Sequence, residues 1–157
     1  MIINKYAGHK KGASAVDIVV PYLKKNGCFV GYSFTMHPGH ATELAQKASA
    51  GGFDLVVAVG GDGTVNEVAK GLVGTNTPMG IVPMGSGNGL ARELGISMNM
   101  RKSAITLLEG KTLHLDVCKL NDQRFLCTSG IGFDALIADK MSKSASRGFL
   151  KYVQLVI

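Results

Sequence analysis

An α/β domain with a mainly parallel sheet and helices on both faces is the fold class this sequence predicts. Three observations carry that expectation. Short β-branched apolar runs, such as LVVAV at 55–59, alternate with stretches of helical periodicity. Glycine-rich polar loops follow those runs: NKYAG at 4–8, GGDG at 60–63 and MGSGN at 84–88. After Gly110 the pattern changes to two extended runs around a turn, which predicts that a β-rich region begins there.

Residues 1–3 are apolar and predict a first strand entered at once. Val16, Val19, Val20 and Leu23 recur at helical spacing, so 13–25 reads as an amphipathic helix ending at Asn26-Gly27. Residues 29–35 predict a second strand with Val30, Tyr32 and Phe34 on one face. A turn at 36–39 follows, because Pro38 disfavours helix at the residue before it. Ala41, Leu44, Ala45 and Ala48 then mark a second helix, stopped by Gly51-Gly52.

The run at 55–59 is the third strand. Val65, Val68, Ala69 and Leu72 give the next helix, for which Thr64 and Glu67 have the spacing of a capping box. After a loop at 71–78 come a fourth strand at 79–83, a helix at 90–94, and a helix at 100–109 with Asn99 as N-cap. Residues 113–120 and 124–129 predict an antiparallel hairpin around Asn121-Asp-Gln123. A helix at 135–143 and an apolar run at 149–157 complete the chain. The expected division is an α/β domain over 1–111 and the start of a second, mainly β unit over 112–157, cut short at its end. The competing expectation is that 149–157 packs back on the first domain.

Composition sets limits. Hydrophobic residues at 46% and charged residues at 18% of 157 describe a globular chain. The 21 glycines follow no period, which excludes collagen-like and linker readings. A net charge of +6 suits anionic partners such as nucleotides or acidic membrane surfaces. No basic run interleaved with aromatics argues for nucleic acid. Cys28, Cys118 and Cys127 are far apart, unlike a disulfide framework or a zinc pattern, which favours a reducing cytoplasm. His37 and His40 read as loop and helix-start residues.

Four strand ends carry small polar residues: Asn4, Thr35, the Gly60 to Thr64 turn, and Ser86. In a parallel sheet these meet at one edge, where ligands bind at the point of strand-order reversal. A glycine loop feeding a helix N-terminus holds phosphate well, because free N–H groups and the helix dipole point at it. The simpler reading of GGDG is a tight strand-to-helix turn with an ordinary cap.

Taken together, GGDGTVNEV at 60–68, PMGSGN at 83–88 and GIGFDA at 130–135 resemble, in order and spacing, the diacylglycerol kinase catalytic-domain family. That family includes sphingosine kinases and bacterial diacylglycerol and phosphatidylglycerol kinases. Thr35 with His40-Ala41 is similar to its nucleotide-loop pattern, and Leu115-Asp116 to the start of its second domain. NAD kinases and phosphofructokinases share GGDG alone; the three motifs together are more specific. Two departures stand out: NKYAG replaces the usual Asn-Pro-x-Ser-Gly, and Gly89 stands where many members carry Asp.

The resemblance implies a two-domain kinase, with a Rossmann-like three-layer nucleotide domain and a C-terminal β-sandwich that helps bind lipid. It implies transfer of the ATP γ-phosphate to a lipid hydroxyl such as that of diacylglycerol or a sphingoid base, with Mg²⁺. It implies ATP contacts at Asn4, Gly8, Thr35, Gly60, Gly61, Asp62, Gly63, Thr64, Val65, Asn66, Gly85, Ser86, Gly87 and Asn88. Asp62 is the expected catalytic carboxylate, in concert with a glutamate for which this chain offers no match. Asp134 resembles a lipid head-group carboxylate. A cytoplasmic protein with peripheral contact at the membrane is expected, and an exposed hairpin and apolar tail favour association between copies. A NAD kinase and a non-catalytic nucleotide-binding module are the alternatives.

Overall fold

The computed structural model describes residues 1–10 and 12–126. The expected helix at 135–143, the apolar run at 149–157 and Asp134 lie outside them. Residues Met1–Leu126 form one compact unit.

The chain opens with β1 (Ile2–Ile3), a short helical turn α1 (Ala7–Lys10) and helix α2 (Ala15–Lys25). Strand β2 (Ser33–Phe34) and helix α3 (His40–Ala50) follow, then β3 (Val56–Gly60) and α4 (Asp62–Leu72). Next come β4 (Met79–Pro83), α5 (Gly89–Glu93) and α6 (Met100–Glu109). A hairpin of β5 (Cys118–Leu120) and β6 (Gln123–Phe125) ends the described part. The first four strands are parallel in the order β2-β1-β3-β4, and β5 pairs antiparallel with β6. The α/β reading is correct.

Successive strand residues point to opposite faces, and both faces are buried. Ile2, Val56, Ala58 and Ile81 meet Ala41 and Ala45 of α3, Val65, Val68 and Leu72 of α4, and Leu90 of α5. Ile3, Val57, Val59 and Val82 meet Ala15, Val19 and Leu23 of α2 and Ala104 of α6. The result is three layers, helices on sheet on helices.

Where a loop is expected at 4–8, α1 already begins at Ala7; three further features differ from the sequence expectation. Of the expected strand at 29–35 only Ser33 and Phe34 pair. An edge strand pairs only as far as its one neighbour extends, and β1 begins at Ile2. The Met1 amino group donates to Gly31 O at 2.7 Å, and Ser33 N donates to Met1 O at 2.9 Å. The first strand of the hairpin is also shorter than expected, Cys118–Leu120 in place of 113–120. Its register, Leu120 opposite Gln123, leaves a two-residue turn in which Asn121 takes φ +52°.

The third difference concerns Thr64 and Glu67, which do not form a capping box. Gly61 is the N-cap of α4 and brings no side-chain acceptor. Thr64 lies one turn inside the helix. Glu67 faces α3 instead: its Oε2 accepts from Ala41 N at 3.2 Å, and its carbonyl accepts from Thr42 Oγ1 at 2.8 Å. Glu67 therefore caps the neighbouring helix. Gly71 makes this approach possible, since a Cβ there would lie 2.5 Å from Thr42 O and 2.8 Å from Ala45 Cβ. By contrast Asn99 caps α6 as expected, its Oδ1 accepting from Arg101 N at 3.0 Å and Lys102 N at 3.2 Å.

Two expected outcomes follow from these contacts. Burial pushes the Met1 amino group down from its usual 8.0 to about 6. Between those values the unfolded chain binds more protons, so this group makes stability rise as pH increases from 6 to 8 and adds nothing further above. The rise is on the order of 2 kcal/mol, read from urea unfolding as the part that Nα-acetylation abolishes. Glu67→Ala lowers stability by about 1 kcal/mol through loss of the α3 cap. Glu67→Gln keeps an acceptor oxygen and loses much less in the same measurement.

Candidate functional site

Because the four strands are parallel, the loops after them gather at one edge. With order β2-β1-β3-β4, the chain leaves β1 toward one side and returns on the other, so the reversal lies between β1 and β3. The loops flanking that crevice are Asn4 to Gly8 and Gly60 to Thr64. One side-chain bond spans it, from Asn4 Nδ2 to Thr64 Oγ1 at 3.4 Å. Asn4 also ends the strand: its N–H donates to Val59 O at 2.9 Å, and its Oδ1 accepts from Tyr6 N at 3.0 Å.

Close backbone approach builds the rest of the edge. A Cβ on Gly60 would run into Thr64 Oγ1, so glycine there lets the buried Thr64 side chain turn back beneath the loop. A Cβ on Gly85 would lie 2.6 Å from Gly61 Cα, and Met84 N donates to Gly60 O at 2.7 Å. The β3 and β4 loops thus touch through backbone alone. Gly8, at φ +59°, brings the β1 loop against Met84 O, where a Cβ would stand at 2.9 Å.

Asp62 opens α4 with its side chain exposed. Its Oδ2 lies 3.0 Å from where a Gly87 Cβ would be, and its Oδ1 3.8 Å from that of Gly89. The carboxylate therefore sits over the 87–89 backbone. Around it Gly63, Ser86, Gly87 and Gly89 are exposed. With a glycine N-cap, the N–H groups of Asp62, Gly63 and Thr64 have no side-chain cap and open onto the edge. Partial positive charge, small residues and one carboxylate share a single surface.

The other expected residues fall into two groups. Thr35 is half-buried at the end of β2, its N–H donating to Ile3 O at 2.9 Å. Three others are spent on scaffolding. Val65 buries its side chain in the core, and its N–H donates to Gly61 O at 3.1 Å. Asn88 is buried at φ 53°, its Oδ1 accepting from Gly85 N at 2.8 Å and its Nδ2 donating to Gly85 O at 2.7 Å. That reciprocal pair closes the 85–88 loop. Asn66 accepts at Oδ1 from Leu126 N at 3.2 Å, tying the end of the hairpin to α4.

Arg92 was not anticipated. Its Nε donates to Gly87 O at 2.8 Å, which brings a guanidinium to the rim of the glycine loop. Its place five residues after Gly87, on the helix the loop feeds, is the signal that could have found it. Lys5, in the β1 loop, lies with Nζ 5.1 Å from the Tyr6 ring centroid. Cavities of about 220 and 210 Å³ lie elsewhere, one beside Lys70 and Arg124, the other beside Met1, Tyr32 and Phe53. Among the described residues no helix is long and apolar enough to cross a membrane.

Comparison with known proteins agrees with this fold. Residues 1–120 match the diacylglycerol kinase catalytic domain. A diacylglycerol kinase of Mycobacterium tuberculosis is 31% identical over 148 residues, covering 90% of this chain and 48% of the relative. One from Bacillus subtilis is 39% identical over 109 residues, covering 65% and 36%. A crystal structure of a diacylglycerol kinase from Bacillus anthracis superposes with a TM-score of 0.71 at 31% identity, over 80% of this chain and 44% of that one. The chain spans about half or less of the length of these relatives. With its matched motifs and its parallel sheet, the chain belongs to the diacylglycerol kinase catalytic domain family.

Proposed function

We propose that this chain is the nucleotide-binding part of an ATP-dependent lipid kinase, acting on a hydroxyl of a membrane lipid such as diacylglycerol or a sphingoid base. One observation carries the reading. The open first turn of α4, the Asp62 carboxylate and the β4 glycine loop converge beside the crevice between β1 and β3. Phosphate oxygens take hydrogen bonds from N–H groups of Gly61, Asp62, Gly63 and Thr64, and from Ser86 and Gly87. The hydroxyls of Thr35 and Ser86 add donors, and Asn4 holds the β1 loop against Thr64. Gly8, Gly60 and Gly85 keep the backbones close enough for one ligand to touch all three loops.

In the reaction a lipid hydroxyl oxygen forms a bond to the γ-phosphorus while the bond to the β,γ-bridging oxygen breaks, releasing ADP. Positioning and charge stabilisation supply most of the rate in such transfers. Asp62 fits a hard dication: its carboxylate oxygens are exposed and make no ion pair among the described residues. Mg²⁺, when bound, would neutralise charge on the phosphate oxygens. The same carboxylate orients the acceptor hydroxyl, whose proton passes to a base elsewhere in the full-length enzyme. Arg92 on the Gly87 carbonyl adds positive charge at the rim.

The reading extends to the rest of the chain. Residues 112–157 begin a second, β-rich lipid-facing domain in which Asp134 meets the head group. The protein works from the cytoplasm at the membrane surface.

Two measurements test this. Labelled ATP incubated with the native-length protein, a panel of lipids and NAD should label a lipid. Label in NAD alone would overturn the reading in favour of a NAD kinase, and ATP binding without transfer would favour a non-catalytic module. Asp62→Asn in the same protein should lower kcat by about 10²-fold or more, with a smaller effect on nucleotide affinity; unchanged turnover would remove Asp62 from the mechanism.

A further inference from the structure

The turn at 36–39 and the first turn of α3 bring together three side chains that the nucleotide reading leaves unused. One ligand atom each from His37, His40 and Glu43 lies within 4.8 Å of the others. The two rings are stacked, with centroids 4.8 Å apart and planes at 17°.

Backbone partners fix the state of each ring. Pro38 O can only accept, so the His37 Nδ1 bonded to it at 3.0 Å carries a proton, and in the neutral imidazole the lone pair is then on Nε2. A histidine that donates one nitrogen to a backbone carbonyl and offers the other is the usual form in metal sites. Met36 N can only donate, so His40 Nδ1, 3.1 Å away, is the unprotonated nitrogen. That bond is exposed to solvent, and water can take over the Met36 N–H. Glu43 makes no ion pair among the described residues. The positive end of α3 disfavours a cation, but Glu67, whose carboxylate accepts from Ala41 N, and Glu43 itself bring negative charge to that end.

We propose that His37, His40 and Glu43 bind a transition-metal dication of the zinc class. His37 ligates through Nε2, His40 through Nδ1, Glu43 through one carboxylate oxygen, and water completes a tetrahedron. Two imidazoles and a carboxylate suit Zn²⁺, Co²⁺ or Ni²⁺ and not Mg²⁺, which prefers an all-oxygen shell. Contraction of the ligand atoms to about 3.4 Å apart gives tetrahedral geometry at ordinary bond lengths. Thr35 directly precedes the turn, so a bound metal fastens that loop to α3.

The test uses the untagged 157-residue chain, titrated calorimetrically with Zn²⁺ and in parallel with Mg²⁺. One Zn²⁺ per chain and a raised thermal midpoint are expected, with no response to Mg²⁺. His37→Ala and Glu43→Gln, both at exposed positions, should each weaken Zn²⁺ binding by about tenfold or more while leaving the circular dichroism spectrum unchanged. Co²⁺ should give a tetrahedral visible spectrum without the near-ultraviolet charge-transfer band of thiolate ligation. No binding, binding unchanged in both variants, or a thiolate band that moves the site to the cysteines would each overturn the proposal. None of these readouts depends on phosphoryl transfer.

Discussion

The sheet is joined through two residues. β2 and β3 do not touch; each pairs with β1, which consists of Ile2 and Ile3 alone. Ile2 enters the core shared with α3 and α4, and Ile3 the one shared with α2. Both are at most 3% exposed, so the two apolar layers and the strand order depend on the same dipeptide. The order in turn creates the crevice, because the chain leaves β1 in opposite senses on its two sides. Asn4 occupies the first position past that strand and takes its backbone bond from the β1–β3 pairing. The candidate site is a consequence of where β1 lies.

At the edge itself, absence of side chains is the working material. Gly61 and Gly85 meet backbone to backbone, and any Cβ on Gly85 would part the β3 and β4 loops. Asn88 holds its loop closed with both ends of its amide, a task that leaves the Ser86 and Gly87 backbone facing outward. Gly89 has a further effect. An aspartate there would set a second carboxylate beside Asp62, since even a Cβ would be 3.8 Å from its Oδ1. Glycine keeps the negative charge of this spot on one residue.

What the sequence revealed divides along the range of the interactions. Local patterns were legible: the strand at 79–83, the Asn99 cap and the helices of 11 residues rest on neighbours within a turn or two. Long-range assignments were not. The spacing of Thr64 and Glu67 fits a capping box, yet Glu67 bonds a residue 26 positions earlier on another helix. Residues 29–31 have strand composition, but β1, the strand they would pair with, spans only Ile2–Ile3. Asn66 reads as a loop ligand by its motif, while its amide oxygen receives an N–H from 60 residues away. Motif order located the edge; only packing separated residues that face a ligand from those that brace the loops, Val65 and Asn88 among the latter.

The fit of α3 against α4 at Gly71 bears on the candidate site as well as on packing. Interlocked at Gly71 and bonded through Glu67 to Ala41 and Thr42, the two helices form one braced pair. The loops that enter them, at Thr35 and at Gly61, are therefore fixed relative to each other. The β4 loop is held to that pair by backbone, Gly85 against Gly61, and the β1 loop to the β4 loop in the same way, Gly8 against Met84 O. In mechanical terms, a side chain added at Gly8 or Gly85 would act as a wedge between loops that now touch.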